Sequence, residues 1–401
     1  METKAPALAI YPAALVLGVA TGLACSLFLW LLEIATHTRK EIGYMHLLLP
    51  IAGVIVALVY RSCHKDIEAG NNLILDEIHE SKRPVPILMA PLILFTTVWT
   101  HLFGGSAGRE GSAVQMGGAI SDFVSRLFKL NQKQRRSMLV AGLGCGFGAA
   151  VGAPIAGIFF GHEVLREQGI ELKNPLPTII ACAVAALTAH LVSAPHTQYP
   201  TLAPLGISFR LFGVSFLSGI LFGIAAFIFC AGLHFVEHRY KGLNGNHYLK
   251  IFIAGIFLAL CFQFAPERYQ GLGLDTIVDS LQHPMPYQVF ALKIALTIAT
   301  LAVGFKGGEF TPLVFIGTTL GSALAASFGA PVEFVAALGF AAVFGAAART
   351  PLACAIMLCE LFPISYFPYA IVSCFVATYC ALLLSRRFEH RPRLYRSQRV
   401  G

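Results

Sequence analysis

Charge is scarce in this chain. Only 12% of its 401 residues are Asp, Glu, Lys or Arg, about half the share of an ordinary soluble domain. That excludes a soluble enzyme or a nucleic-acid-binding domain of this size. The net charge of +8 does not restore the second, because the basic residues sit in short breaks between apolar runs, as membrane-protein loops do. Cysteine pairing is lacking too. The ten cysteines, at 25, 63, 145, 182, 230, 261, 354, 359, 374 and 380, show no CxxC spacing, and read as small buried hydrophobes rather than a disulfide or metal framework. No Walker A loop appears, so nothing supports ATP-driven pumping. The first apolar run, Ala7 to Ala35, is too long for a signal-peptide core.

What the chain has is apolar length and glycine. It is 56% hydrophobic with 38 glycines, and its mean hydropathy is +0.70. Small residues let helices approach closely in lipid, so the composition predicts an all-α polytopic membrane protein. Apolar segments fall at about 7–34, 46–61, 86–103, 112–128, 138–148, 154–165, 175–193, 210–234, 250–264, 288–304, 312–328, 332–347, 351–362 and 366–385. Several are shorter than the ~20 residues that span a bilayer, as expected of broken helices that meet at a midplane site. The basic tail, Arg386, Arg387, Arg391, Arg393, Arg396 and Arg399, favours a cytoplasmic C-terminus.

The chain repeats itself. GAAVGAPIAGIFFGHE (Gly148–Glu163) matches GAAARTPLACAIMLCE (Gly345–Glu360) in its prolines, Pro154 and Pro351, and its closing glutamates. Gly142 falls on Gly339; Gly104, Gly108 and Gly117 fall on Gly304, Gly308 and Gly317; GNNLILDEI from Gly70 falls on GLGLDTIVD from Gly271. Four blocks in one order predict two halves of one fold meeting around a site. We expect one transmembrane domain over 1–401, repeat one at about 1–200 and repeat two at about 201–401, with no soluble regulatory domain.

Three polar breaks interrupt the apolar runs: Gly70-Asn71-Asn72-Leu73, Gly108-Arg109-Glu110-Gly111 and Gly308-Glu309-Phe310-Thr311-Pro312. Each opens a helix. Bare amides and the positive dipole end make a helix N-terminus an anion site, and three aimed at one point would trap an anion without a full positive charge. Arg109 and Glu110 are ionisable residues at membrane depth, which mark function by default. Ionised, Glu110 can occupy the anion's place; protonated, it can release it. Each residue also has a plainer role open to it. Glu110 can be a structural cap paired with Arg109, Asn71 a helix cap, Thr311 a partner of its own backbone, Glu309 a first-turn helix charge, and Glu163 and Glu360 structural carboxylates.

These motifs resemble those of the CLC anion channel and transporter superfamily over nearly the whole chain. GREG at 108–111 resembles its gating-glutamate motif, GEFTP at 308–312 its second anion-site motif, and Tyr395 its central tyrosine. The resemblance implies a homodimer, inverted repeats with broken helices, and one anion pathway per subunit. Three departures stand out: Asn71 replaces a serine, Ser112 a proline, and Val164 the internal proton-transfer glutamate, while the preceding Glu163 is retained. They resemble the fluoride-exporting CLC-F branch, in which Glu309 and Thr311 match residues implicated in transport. The implied function is fluoride/proton antiport in a bacterial inner membrane. Glu110 would be the gating and proton-carrying group, and Asn71, Gly108, Arg109, Gly111, Glu309, Phe310, Thr311 and Tyr395 the anion-binding set. No metal, cofactor or nucleic acid is implied; the partners are fluoride, protons, lipid and a second copy. Chloride/proton exchange and a passive anion channel of the same fold are the alternatives. An enzyme reading rests on His234-Phe-Val-Glu237-His238, an H-x-x-E-H string of the zinc-protease kind, but it closes a long apolar run as an ordinary helix exit.

Overall fold

The computed structural model describes residues 7–63, 65–80, 83–166 and 174–387. These form sixteen α-helices with short 3-10 turns between them, and no β-strand among the described residues. The first eight are α1 (Ile10–Ile42), α2 (Leu49–Arg61), α3 (Asn71–Glu80), α4 (Met89–Leu102), α5 (Glu110–Leu127), α6 (Gln132–Val151), α7 (Pro154–Arg166) and α8 (Leu176–Leu191). The second eight are α9 (Phe209–Lys241), α10 (His247–Phe264), α11 (Leu274–Ser280), α12 (Gln288–Ala302), α13 (Phe310–Phe328), α14 (Val332–Ala348), α15 (Pro351–Leu361) and α16 (Phe367–Arg387). Five of these elements are long and apolar enough to cross a membrane, and seven more are apolar pieces of 10–17 residues, as the broken apolar runs predict.

Packing repeats with the elements. In the first half α1 lies against α8, α5 against α6, and α6 against α7 and α8; in the second α9 lies against α16, α13 against α14, and α14 against α15 and α16. Each helix thus has its mate eight elements further on. Glycine sets the closest approaches. A Cβ on Gly117 would collide with the Gly142 carbonyl, and one on Gly317 with the Gly339 carbonyl, so α5–α6 and α13–α14 pack backbone to backbone at equivalent positions.

The halves are also tied by two exchanged caps. Glu163, near the end of α7, accepts the Leu352 and Ala353 amides of α15 at 3.0 and 2.8 Å. Glu360, near the end of α15, accepts the Ile155 and Ala156 amides of α7 at 2.9 and 2.7 Å. Both helices open on proline, which has no N–H to satisfy, so the carboxylates meet the next two orphan donors. The plainer, structural reading of both glutamates accounts for this geometry.

Helices outrun the apolar segments where charged side chains can reach their ends. α1 continues through Arg39, Lys40 and Glu41, and α9 through Glu237 to Lys241. α6 starts at Gln132 rather than at about 138, because Asn131 and Gln134 form a reciprocal capping box, which satisfies two orphan donors. The short polar α3 is absent from the apolar segments. It is pinned by ion pairs: Arg135 of α6 bridges the buried Asp122 of α5 and Glu77 of α3, and Glu77 also accepts the Arg83 amide at 2.8 Å. On α9, Glu237 is engaged by Lys241 at 2.5 Å, and no trio of His, Cys, Asp or Glu among the described residues is placed to hold a metal.

Candidate anion site

The breaks at Gly108 and Gly308 meet. Gly108 N donates to Gly308 O at 2.6 Å and Gly308 N to Gly108 O at 2.7 Å, an isolated antiparallel bridge between equivalent residues of the two halves. Only glycine allows it. A Cβ on Gly108 would lie 2.8 Å from Gly308 O, one on Gly308 2.6 Å from Gly111 N, and one on Gly111 3.0 Å from the Gly308 Cα. Each break then opens a helix at this point: α5 at Glu110 and α13 at Phe310. Two helix N-termini therefore converge on the bridge, each with unpaired first-turn amides.

Glu110 and Phe310 are equivalent positions with different fates. Glu110 is 3% exposed, and its carboxylate gathers donors from both halves. Oε2 accepts the Thr311 hydroxyl at 2.6 Å and the Arg109 amide at 3.2 Å; Oε1 accepts Arg109 Nε at 3.2 Å. Bonds to a charged acceptor are worth about 1.5–3 kcal/mol each, and the adjacent guanidinium offsets the cost of burying the carboxylate. Phe310 instead packs its ring edge-on to Phe147 of α6 and Phe344 of α14, at 5.3 and 4.5 Å between centroids. Phe147 and Phe344 are themselves repeat mates, stacked 6.1 Å apart. Phe310 can thus offer an anion its backbone, while its ring is held in this aromatic cluster.

Asn71 and Glu309 flank Gly111. A methyl group there would come 3.6 Å from Glu309 Oε2 and 3.9 Å from Asn71 Nδ2. Asn71 opens α3, and its buried Oδ1 has no hydrogen-bond partner among the described residues. The structure thus brings together Asn71, Gly108, Arg109, Glu110, Gly111, Glu309, Phe310 and Thr311. Tyr395 lies outside the described residues.

The loop ahead of Glu110 is braced by polar groups that spacing alone does not single out. Ser106 bonds Thr297 at 2.9 Å, and its amide donates to Thr300 at 3.3 Å. His101 meets the Ala107 carbonyl at 3.1 Å. Ser112, where the resembled motif has proline, shares a 2.8 Å hydroxyl contact with Thr97 of α4. Val164 is buried in the apolar core at 3% exposure, with no ionisable group at that position. Nor does the sequence single out Thr197, in the linker between the halves, which accepts Arg109 Nη2 at 3.1 Å.

Chemically, the carboxylate occupies donors that an anion would need. Losing its charge dissolves the ion pair with Arg109 and weakens the bond from Thr311, which frees those donors.

The sequence profile of the voltage gated chloride channel family matches residues 52–382. A "Chloride/fluoride channel protein" of Pseudomonas syringae pv. tomato is 38% identical over 95% of this chain and 84% of its own length. An "H(+)/Cl(-) exchange transporter ClcA" of Vibrio parahaemolyticus is 28% identical over 72% of this chain and 66% of its own. The crystal structure of a CLC-type fluoride/proton antiporter superposes with a TM-score of 0.89 at 30% identity, covering 97% of each chain. The architecture is therefore the CLC type: two inverted repeats whose broken helices meet within a polytopic membrane protein. With its motifs, packing and profile in agreement, the chain belongs to the voltage gated chloride channel (CLC) family, whose members are ion transporters or channels.

Proposed function

We propose that the chain is a fluoride/proton antiporter, exporting fluoride across a bacterial inner membrane as protons enter, and working as a homodimer with one pathway per subunit. One observation carries this reading: the Glu110 carboxylate sits between two helix N-termini, held by Thr311 of one half and Arg109 of the other. A proton on Glu110 releases the side chain, fluoride takes the vacated donors, and return of the ionised carboxylate expels it. Fluoride is small and strongly hydrated, so its site must replace water with dense, preorganised donors. The Asn71 amide, the Thr311 hydroxyl and the backbone of Arg109, Gly111 and Phe310 are such donors, while Gly108, its own N–H spent on the Gly308 carbonyl, holds the two breaks together. Asn71 in place of serine favours fluoride over chloride in this reading. With Val164 unable to relay a proton, Glu309, beside Gly111, or an inward swing of Glu110 itself completes the proton path. The names of the Pseudomonas relative and of the superposed antiporter support the anion assignment.

Chloride/proton exchange is the second reading, favoured by the name of the Vibrio relative. The test is ion release from proteoliposomes loaded with fluoride or chloride, with external pH recorded in parallel. Fluoride efflux with proton uptake, uncoupled in Glu110→Gln, is the expected result. Fluoride efflux without proton movement means a passive channel; fast chloride with negligible fluoride means a chloride-type transporter.

A further inference from the structure

The linker between the halves, residues 192–208, has no regular secondary structure up to the cap of α9, yet it is tied down along its length. His196 Nε2 meets the Ala149 carbonyl at 2.8 Å. Tyr199 packs edge-on to Phe340 at 5.2 Å and against Phe362 at 5.6 Å. Further on, the Leu205 amide donates to Ser365 at 2.9 Å; the Tyr369 hydroxyl accepts the Ser208 amide at 2.8 Å and donates to the Gly206 carbonyl at 2.7 Å. A strap anchored at so many points holds each of its side chains in register, Thr197 among them.

Thr197 faces two ways. Its hydroxyl accepts Arg109 Nη2 at 3.1 Å, while the residue lines a cavity of 440 Å³ together with Ala149, Gly152, His190 and His196. Arg109 is 5% exposed and spends its Nε–H on Glu110. The cavity, Thr197, Arg109 and Glu110 therefore form one contiguous chain. A guanidinium is a rigid planar fork: fixing Nη2 on Thr197 fixes the direction in which the Nε–H points.

We propose that Thr197 is a positioning residue of the gate, which aims the Arg109 guanidinium at Glu110 and so sets how firmly the carboxylate stays closed beneath the cavity. The proposal rests on the reading of Glu110 as the gate. Thr197 touches neither ion; it acts through Arg109. Removing its hydroxyl lets the guanidinium turn away, and Glu110 then leaves its closed position without waiting for a proton.

The experiment compares Thr197→Val, Thr197→Ser and the same changes in a Glu110→Gln background, in proteoliposomes with anion efflux and proton uptake recorded together. Thr197→Val is expected to raise the number of anions moved per proton by about two- to tenfold, the span of one ordinary hydrogen bond, and Thr197→Ser to restore it. In Glu110→Gln, Thr197→Val is expected to change nothing further, because no carboxylate is left to aim at. A Thr197→Val protein indistinguishable from wild type, a serine that fails to rescue, or an equal effect with and without Glu110 would each overturn the proposal. Thr197→Ala is the second variant should valine disturb the strap. The failure of the antiport reading is separable: it appears in wild type, as the wrong anion or absent protons. Thr197 is then judged on the turnover of whichever anion wild type carries, relative to its variants.

Discussion

Glu163 and Glu360 each cap the helix that carries the other. The exchange closes a ring of four amide-to-carboxylate hydrogen bonds across the two halves. Each carboxylate sits at its own helix's C-terminal end, where the dipole disfavours it, and at its neighbour's N-terminus, where the dipole favours it. Neither helix keeps its end satisfied if the other half moves away, so the pair measures the register between the halves.

Glu163→Ala and Glu360→Ala should therefore destabilise the protein to a similar degree, by about 1–3 kcal/mol each. Thermal unfolding of the detergent-solubilised protein checks this. Unequal losses would mean that one cap is incidental. The double variant should lose less than the sum, since the contacts belong to one ring.

Thr311 donates the shortest bond to the Glu110 carboxylate, at 2.6 Å. Thr311→Val should loosen the closed gate by about 1.5–3 kcal/mol, seen as more fluoride released per proton in the loaded-vesicle assay. Thr311→Ser keeps the hydroxyl and should retain coupling. A coupled Thr311→Val beside an uncoupled Thr311→Ser would show that the methyl group, not the hydroxyl, matters.

Gly308→Ala places a Cβ 2.6 Å from Gly111 N, inside van der Waals contact with backbone that has no room to yield. The bridge to Gly108 must open and the two helix N-termini separate. Anion efflux should fall to background while the protein, folded elsewhere through its caps and glycine seams, still elutes as a single species. Wild-type efflux from this variant would mean that the convergence of the two breaks is dispensable.

Much of this was legible in the residues. The glycine-led breaks and the matched blocks locate both helix N-termini, because a close backbone approach leaves glycine as its trace. The pairing of Pro154 with Pro351 and of Glu163 with Glu360 marks the exchanged caps, although only the structure shows that each glutamate reaches across. Helix ends were less legible. α1, α6 and α9 run on through charged residues that an apolar count stops at, since long side chains reach water from a helix that continues. The short α3 buries Ile74, Leu75 and Ile78 beside the charged Asp76 and Glu77, a mixed face that an apolar count passes over. Thr197 and Ser106 act through tertiary contacts of more than eighty residues' separation, which no local pattern encodes.

Glu110 and Phe310 close the account of the two halves. A duplicated scaffold offers the same surroundings twice, yet one copy carries a carboxylate held by donors from both halves and the other a phenyl ring wedged among Phe147 and Phe344. The two helix N-termini that meet at the Gly108–Gly308 bridge are therefore chemical opposites, one ionisable and one inert, within an otherwise matched frame.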